Sequence, residues 1–431
     1  ISVARCLHVV SDNNADVSRL CQQPEVLSEL QNIVSSTPSE INGVLFRTLV
    51  TGILLNLTEV DLTLYYKGIV ATIAELLDMD SFSVITAALE GVQDATEELN
   101  LESDMTWPEV DNLLKAQGIG LELLANLCCS DDGWDDVEGL GSSDSSSDDQ
   151  AMEATYESGA VMGGDTSDTL CLSSEISTSF VEKDVLSKVL KKAYPIDAAQ
   201  MSKLKITQLG RTTLIKLCDL QSRALLCLSN LVGVIDVSYL TQFVSLNSIW
   251  TELYKLASFS QDVPNEDFVW AVTSAMRAVI HRLADMQVSN LSDVTSSDLD
   301  FLVSLAKDNK NRETQINVVR IISTVGCILS LNLQPHPLLK KIGSILVDVA
   351  YHTDDLVVAA EALDSLFDVF KEDHTDIIVQ EIGLVNKLIT LHPAFKNKVS
   401  SQRKSLGENY AVVMMAKSNL ARYIKYKQSQ K

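Results

Sequence analysis

The residues of this chain best suited to chemistry are acidic and lie close together. Asp131, Asp132, Asp135, Asp136 and Glu138 surround Trp134, and Asp144, Asp148 and Asp149 follow. They belong to a run of 67 residues between Lys115 and Lys183 that has no Lys or Arg and 15 Asp or Glu. With no cation of its own to neutralise it, such a run attracts basic surfaces and repels nucleic-acid phosphate. Trp134 can anchor in an apolar pocket of a partner while the carboxylates pair with Lys and Arg around it. Ser145 and Ser146 each have an acidic residue three positions on, which suits an acidophilic kinase that would add further charge. The plainer alternative is a solubilising tether with no partner.

Other chemistries find little support. The Asp spacing lacks the glycine and terminal Glu of an EF-hand loop. The six His and eight Cys form no HExxH, no CxxC and no Cys/His cluster, so no metal or cofactor is expected. Nucleotide-binding glycine loops and the GxSxG turn are also missing, which disfavours an enzyme. His281 reads as a packed or surface histidine. The cysteines fall mostly in apolar helical contexts and read as reduced thiols of a cytosolic or nuclear protein. No uncharged apolar run reaches 18 residues, so no membrane span is expected. The chain opens without Met and inside a helical pattern, which suggests that an N-terminal part is missing.

The elements that must position the acidic run are helical. Hydrophobic residues make up 46% of the chain, whereas Gly and Pro total only 26 of 431 residues, too few for an all-β protein. Leu49–Leu57 (LVTGILLNL), Leu121–Leu127 (LELLANL) and Ala224–Leu231 (ALLCLSNL) are apolar helical segments that each close on Asn-Leu. Val318–Leu331 and Val357–Asp373 read as later copies. Amphipathic helices are expected between them over Tyr65–Leu77, Leu113–Leu127, Leu240–Ala257, Asp267–Met286, Asp298–Asp308, Leu338–Ala350 and Ile377–Leu391, with prolines 108, 264, 335 and 393 near helix starts or in turns. One helix pair cannot bury its own apolar stripe, so units of about 40 residues must stack. The expected fold is all-α: a right-handed α-solenoid of armadillo/HEAT repeats with an acidic disordered insertion. Residues 1–129 and 183–431 are its two repeat blocks, and residues 130–182 are the insertion.

Asn56, Asn126 and Asn230 are in register and form a candidate groove for an extended peptide, unless they simply end their helices. The positions four residues earlier, Gly52, Glu122 and Leu226, lack the Trp of armadillo import receptors. Ala394–Lys431 holds nine Lys or Arg and one Glu, and its helix Tyr410–Lys427 reads as a basic cap.

The order of these parts, with GLELLANLCCSDDGWDDVEG at 120–139, SRALLCLSNLVG at 222–233 and NLARYIKYK at 419–427, resembles the symportin family. The resemblance implies a shuttling adaptor and chaperone, in cytoplasm and nucleus, for the basic ribosomal proteins that accompany 5S rRNA. It implies that the acidic segment engages one of them and the concave face holds a segment of another; the net charge of −24 and the lack of a long apolar run, not the resemblance, argue against direct contact with nucleic acid or membrane. It also implies an importin contact through an N-terminal arm absent from this chain. A general interaction scaffold with a phosphorylatable acidic tether is the alternative.

Overall fold

The structure is a computed structural model that describes residues 1–12, 14–36, 38, 40–57, 65–93, 106–128, 173–237, 240, 245–259, 265–286, 294–334 and 336–430. Among these residues all regular structure is helical. The helices are α1 (Ser2–Ser11), α2 (Ala15–Cys21), α3 (Pro24–Ser35), α4 (Ile41–Leu55), α5 (Tyr66–Asp78), α6 (Ser81–Gln93) and α7 (Thr106–Leu127) before the acidic segment. After it come α8 (Ser174–Glu182), α9 (Val185–Ala193), α10 (Ala198–Leu204), α11 (Gln208–Val234), α12 (Leu246–Phe259), α13 (Glu266–Asp285) and α14 (Ser296–Asp308). The chain continues through α15 (Arg312–Ser330), α16 (Leu338–His352), α17 (Leu356–Val369), α18 (Asp376–Glu381), α19 (Leu384–Gln402) and α20 (Tyr410–Ser429).

Short polar side chains start many of these helices. Asn14, Ser173, Asp197, Thr207, Asn265, Asn311 and Asp355 accept hydrogen bonds from first-turn amides, and Thr295 with Asp298 forms a reciprocal capping box. Helix C-termini are closed differently, by donors reaching across from neighbouring helices. Arg47 Nε donates to the Val34 carbonyl at 2.8 Å, and Gln221 Nε2 to Tyr194 at 2.9 Å. Arg282 Nε donates to Val232 at 2.9 Å, Lys398 Nζ to Thr353 at 3.2 Å and the Tyr423 hydroxyl to Phe370 at 3.2 Å. These donors fill carbonyls that a helix end leaves unpaired, and the cations also complement the negative end of the dipole. Lys192, donating to Met79 O at 2.6 Å, is buried enough that its pKa falls to about 8.

Packing follows the two-layer logic of a solenoid. Helices α4, α7, α11, α13, α15, α17 and α20 touch one another in that order and form a ladder. Helices α5, α9, α12, α14, α16 and α19 cover its back. Ladder neighbours lie against each other along their length, whereas α14, α16 and α19 meet each other only sparsely. A stack that is tight on one layer and spread on the other curves toward the tight layer, so the ladder is the concave wall. One continuous apolar core runs from Ile69 to Ile424, through the fully buried Phe180, Phe370 and Phe395. Smaller N-terminal cores gather around Leu45 and Leu49, and around Val50 and Ile53. The all-α solenoid expected from the sequence is therefore the fold.

Several boundaries differ from the sequence reading. Ser174–Glu182 is helical and packs on α5, so these residues are not part of the disordered insertion expected over 130–182; Ile176 and Phe180 are the helix's buried anchors. Gly383, at φ +63°, splits the single helix expected over Ile377–Leu391 into α18 and α19. Pro393 lies inside α19 rather than at a helix start. Its face is exposed and Ile389, one turn back, is 41% exposed, so the carbonyl left without a donor meets water. Pro108 does sit in the first turn of α7, and prolines 264 and 335 lie outside the described residues.

Candidate functional site

The acidic segment and its named residues, Asp131, Asp132, Trp134, Asp135, Asp136, Glu138, Asp144, Asp148 and Asp149, with Ser145 and Ser146, lie outside the described residues. The helix before it is α7 and the helix after it is α8, which packs on α5. α7 ends at Leu127 on the concave wall, and α11 packs directly against α7 as the next rung. The ladder is therefore continuous from α7 to α11 although the acidic segment lies between them in sequence.

The polar stripe of each rung follows from helical periodicity: if one face is apolar, residues at spacings of three and four on the opposite face can be polar. On α13 these are Asp267, Trp270, Ser274 and Arg277; on α15, Glu313, Asn317 and Arg320; on α17, Glu361, Asp364 and Asp368; Asn317 is buried between rungs, and of these residues only Asp267, Glu313, Arg320 and Asp368 are exposed. Polar bonds tie one rung to the next. Ser229 Oγ donates to Ser274 O at 3.3 Å, and Asn317 Nδ2 to Ser274 Oγ at 2.9 Å. Arg277 Nη1 donates to Asn317 Oδ1 at 3.2 Å. Arg320 grips Glu361 with two bonds of 2.7 and 2.8 Å, and Arg312 meets Asp355 at 2.5 Å.

Carboxylates gather toward the C-terminal half of this wall. Burial raises the pKa of Asp364 to about 6, with Glu361 and Asp368 adding repulsion and an Asn419 amide at 3.5 Å opposing it. Asp368 is raised as well, by burial first, although its side chain faces solvent; a concave wall shields a group that a flat surface would not. Asp219 is raised by burial and by Asp267 on the neighbouring rung. Trp270, half-buried, stands outside the apolar core on the same stripe as Asp267. An indole beside carboxylates can take the aliphatic stem and charged head of a Lys or Arg together.

The three candidate asparagines do not act as one set. Asn56 caps the end of α4, and its amide donates to His8 O at 3.2 Å and Ser11 Oγ at 3.1 Å, binding α1 to α4. Asn126 is exposed near the end of α7. Asn230 is exposed too, but α11 continues to Val234, so it ends nothing. The basic C-terminal helix is less available than its charge suggests. Lys427 is buried against Asp376 at 2.5 Å and lies over the Tyr423 and Tyr426 rings at 5.8 and 5.4 Å. His281 is exposed, 3.4 Å from Asp285.

Sequence reading missed Trp270 and the carboxylate stripe of α17. Their signal was present as polar residues at spacings of three and four inside apolar helices, where only the apolar face had been followed. Among the described residues there is no metal-ligand cluster, and no helix is long and apolar enough to cross a membrane.

Comparison with known proteins agrees with this architecture. A family model described as SYO1-like, TPR repeats matches residues 174–431. HEAT repeat-containing protein 3 of Homo sapiens is 29% identical over 480 aligned residues, covering all of this chain and 69% of the relative. The protein of the same name from Mus musculus is 26% identical over 477, with the same coverage. TPR and HEAT units are both stacked helix pairs, the arrangement seen here.

Proposed function

The chain belongs to the SYO1-like symportin family, and from that premise we propose that it is a non-enzymatic adaptor and chaperone for the basic ribosomal proteins that accompany 5S rRNA. It shields their RNA-binding surfaces and escorts them between cytoplasm and nucleus for ribosome assembly. The observation that carries this reading is the cation-free run of 15 carboxylates between Lys115 and Lys183, rooted at a joint of the concave wall. A polyanion of that density presents a basic RNA-binding protein with a field like that of its nucleic acid. The carboxylates of α13, α15 and α17, with Trp270, supply a second surface of the same sign. One scaffold then holds two basic elements together, and the second gains from the effective concentration set by the first.

Asp131, Asp132, Asp135, Asp136 and Glu138 are assigned to pairing with cargo Lys and Arg, and Trp134 to anchoring. Asp144, Asp148 and Asp149 extend the field, and phosphate on Ser145 or Ser146 would strengthen it. Electrostatic steering raises the association rate about 10- to 1,000-fold at low salt. The family resemblance assigns the importin contact to an N-terminal arm, and no residue of this chain is proposed for it. The test is capture of purified 5S-associated ribosomal proteins by the full chain and by a deletion of Asp131–Asp168. The deletion should lose capture of the segment-bound cargo and retain helicity. Equal capture by both would leave only a general scaffold.

A further inference from the structure

The concave wall changes sign along its length. At its N-terminal end α1, α7 and α11 enclose a trough of about 480 Å³. Its apolar lining is Val9 and Ile119, which have exposed surface, over the buried Leu49, Leu114 and Leu220. Arg5, Lys115, Lys216 and Arg223 line it as well. Their partners only partly neutralise them. Lys115 and Lys216 share the single carboxylate of Asp111. Arg223 pairs with Glu122 and, at 3.0 Å, with Asp219. Arg5 donates to the Asn112 amide at 3.3 Å rather than to a carboxylate. Four cations thus face three carboxylates in a chain of net charge −24.

A basic cargo segment is disfavoured in such a trough. An occupant that fits must bring an apolar group for the floor and negative charge for the rim. Residues 130–138 offer an indole between two pairs of Asp, and they are tethered beside the trough. Ile119 is nine positions before Cys128, about 13 Å along a helix. Trp134 is six positions beyond Cys128, a span of up to about 20 Å when extended. The tether is therefore long enough for the indole to return to Ile119, and an attached ligand binds at high effective concentration.

We propose that the trough between α1 and α11 is a docking site for the chain's own acidic segment, with Trp134 on the Leu114–Ile119–Leu220 floor and its flanking aspartates on Arg5, Lys115, Lys216 and Arg223. Basic cargo competes with the rim for the same carboxylates, so weak cationic clients are turned away while a cargo that engages the whole segment displaces it. This consequence rests on the cargo-capture reading; the docking itself does not, and it is tested without cargo.

The experiment is acrylamide quenching of Trp134 in the full chain at low salt, isolated by subtracting the Trp134→Phe spectrum and compared with a synthetic 129–149 peptide. Trp134 should be protected in the chain and open in the peptide. Arg5→Glu with Lys216→Glu should expose it, and should tighten binding of a polylysine probe about three- to tenfold by releasing the competing state. If the double variant does not fold, Arg5→Glu alone, which leaves the inter-rung ion pairs intact, should give a partial exposure of the same sign. Equal quenching in chain and peptide overturns the proposal, as does protection that neither rim variant changes. Failure of polylysine to bind any form, with Trp134 still protected and released as described, would instead sink the cargo-capture reading and leave the docking standing.

Discussion

Replacing Asp364 by Asn should stabilise the protein at neutral pH and leave it unchanged in acid. Asp364 lies half-buried on α17, between Glu361 and Asp368, with an Asn419 amide at 3.5 Å as a weak donor. Its pKa is pushed up to about 6, first by burial and then by its acidic neighbours. Against an ordinary value near 4, two units correspond to about 3 kcal/mol as a ceiling. Partial exposure and ionic screening bring the cost of the charged form to about 1–1.5 kcal/mol. The sign follows from proton linkage. Below pH 4 the carboxyl is protonated in both folded and unfolded chains and costs nothing. Between pH 4 and 6 the folded chain holds a proton that the unfolded chain has released, so stability falls as pH rises. Above 6 the full cost is present. Thermal melts of wild type and Asp364→Asn should therefore coincide at pH 4, with the variant about 1–3 °C higher at pH 7.5. A variant that melts at or below wild type at pH 7.5, or whose advantage grows toward acid, would mean that burial does not penalise the charged form of Asp364. A basic peptide bound across this wall should lower the pKa of Asp364, so its affinity should drop as pH falls from 7 to 5, and less so in Asp364→Asn.

Arg282→Met should cost about 2–4 kcal/mol, because the Val232 and Ile235 carbonyls at the end of α11 lose buried charged donors; denaturant titration reads the loss, and faster hydrogen exchange near 235 locates it. Gly210→Ala should destabilise by a similar amount, since its Cβ would sit 2.2 Å from the Leu204 carbonyl oxygen, a backbone atom that cannot swing away; an unchanged melt would mean that α10 shifts freely. Cargo capture should weaken steeply as salt rises from about 0.05 to 0.5 M, because exposed charges are screened within a Debye length; a salt-independent affinity would exclude the polyanion as the main contact.

Much of the fold was legible because a solenoid is local. The apolar stripe of α13 marked Asp267–Met286 as a helix, and the structure places it at Glu266–Asp285. The segments Asp298–Asp308 and Leu338–Ala350 likewise match α14 and α16 to within two residues at each end. Repeats contact mainly their neighbours, so periodicity in a short window already encodes most of the packing. What sequence alone did not give depends on which side of the curve a residue faces. Asn56 matched a groove motif, yet its amide is committed to His8 and Ser11, partners 45 residues or more away in the chain. Trp270 drew no notice because its helix is apolar on the other face. The cationic trough joins residues from α1, α7 and α11, and no linear pattern brings Arg5 next to Lys216.

On the proposed function, one concave scaffold takes basic cargo by two acidic surfaces. Photo-cross-linkers placed at positions 136 and 270 of the full chain, with purified 5S-associated ribosomal proteins added at low salt, decide whether it does. Both positions should cross-link to cargo, and both products should fade as salt rises. Absence of cargo at both positions, or products unaffected by salt, would contradict the claim.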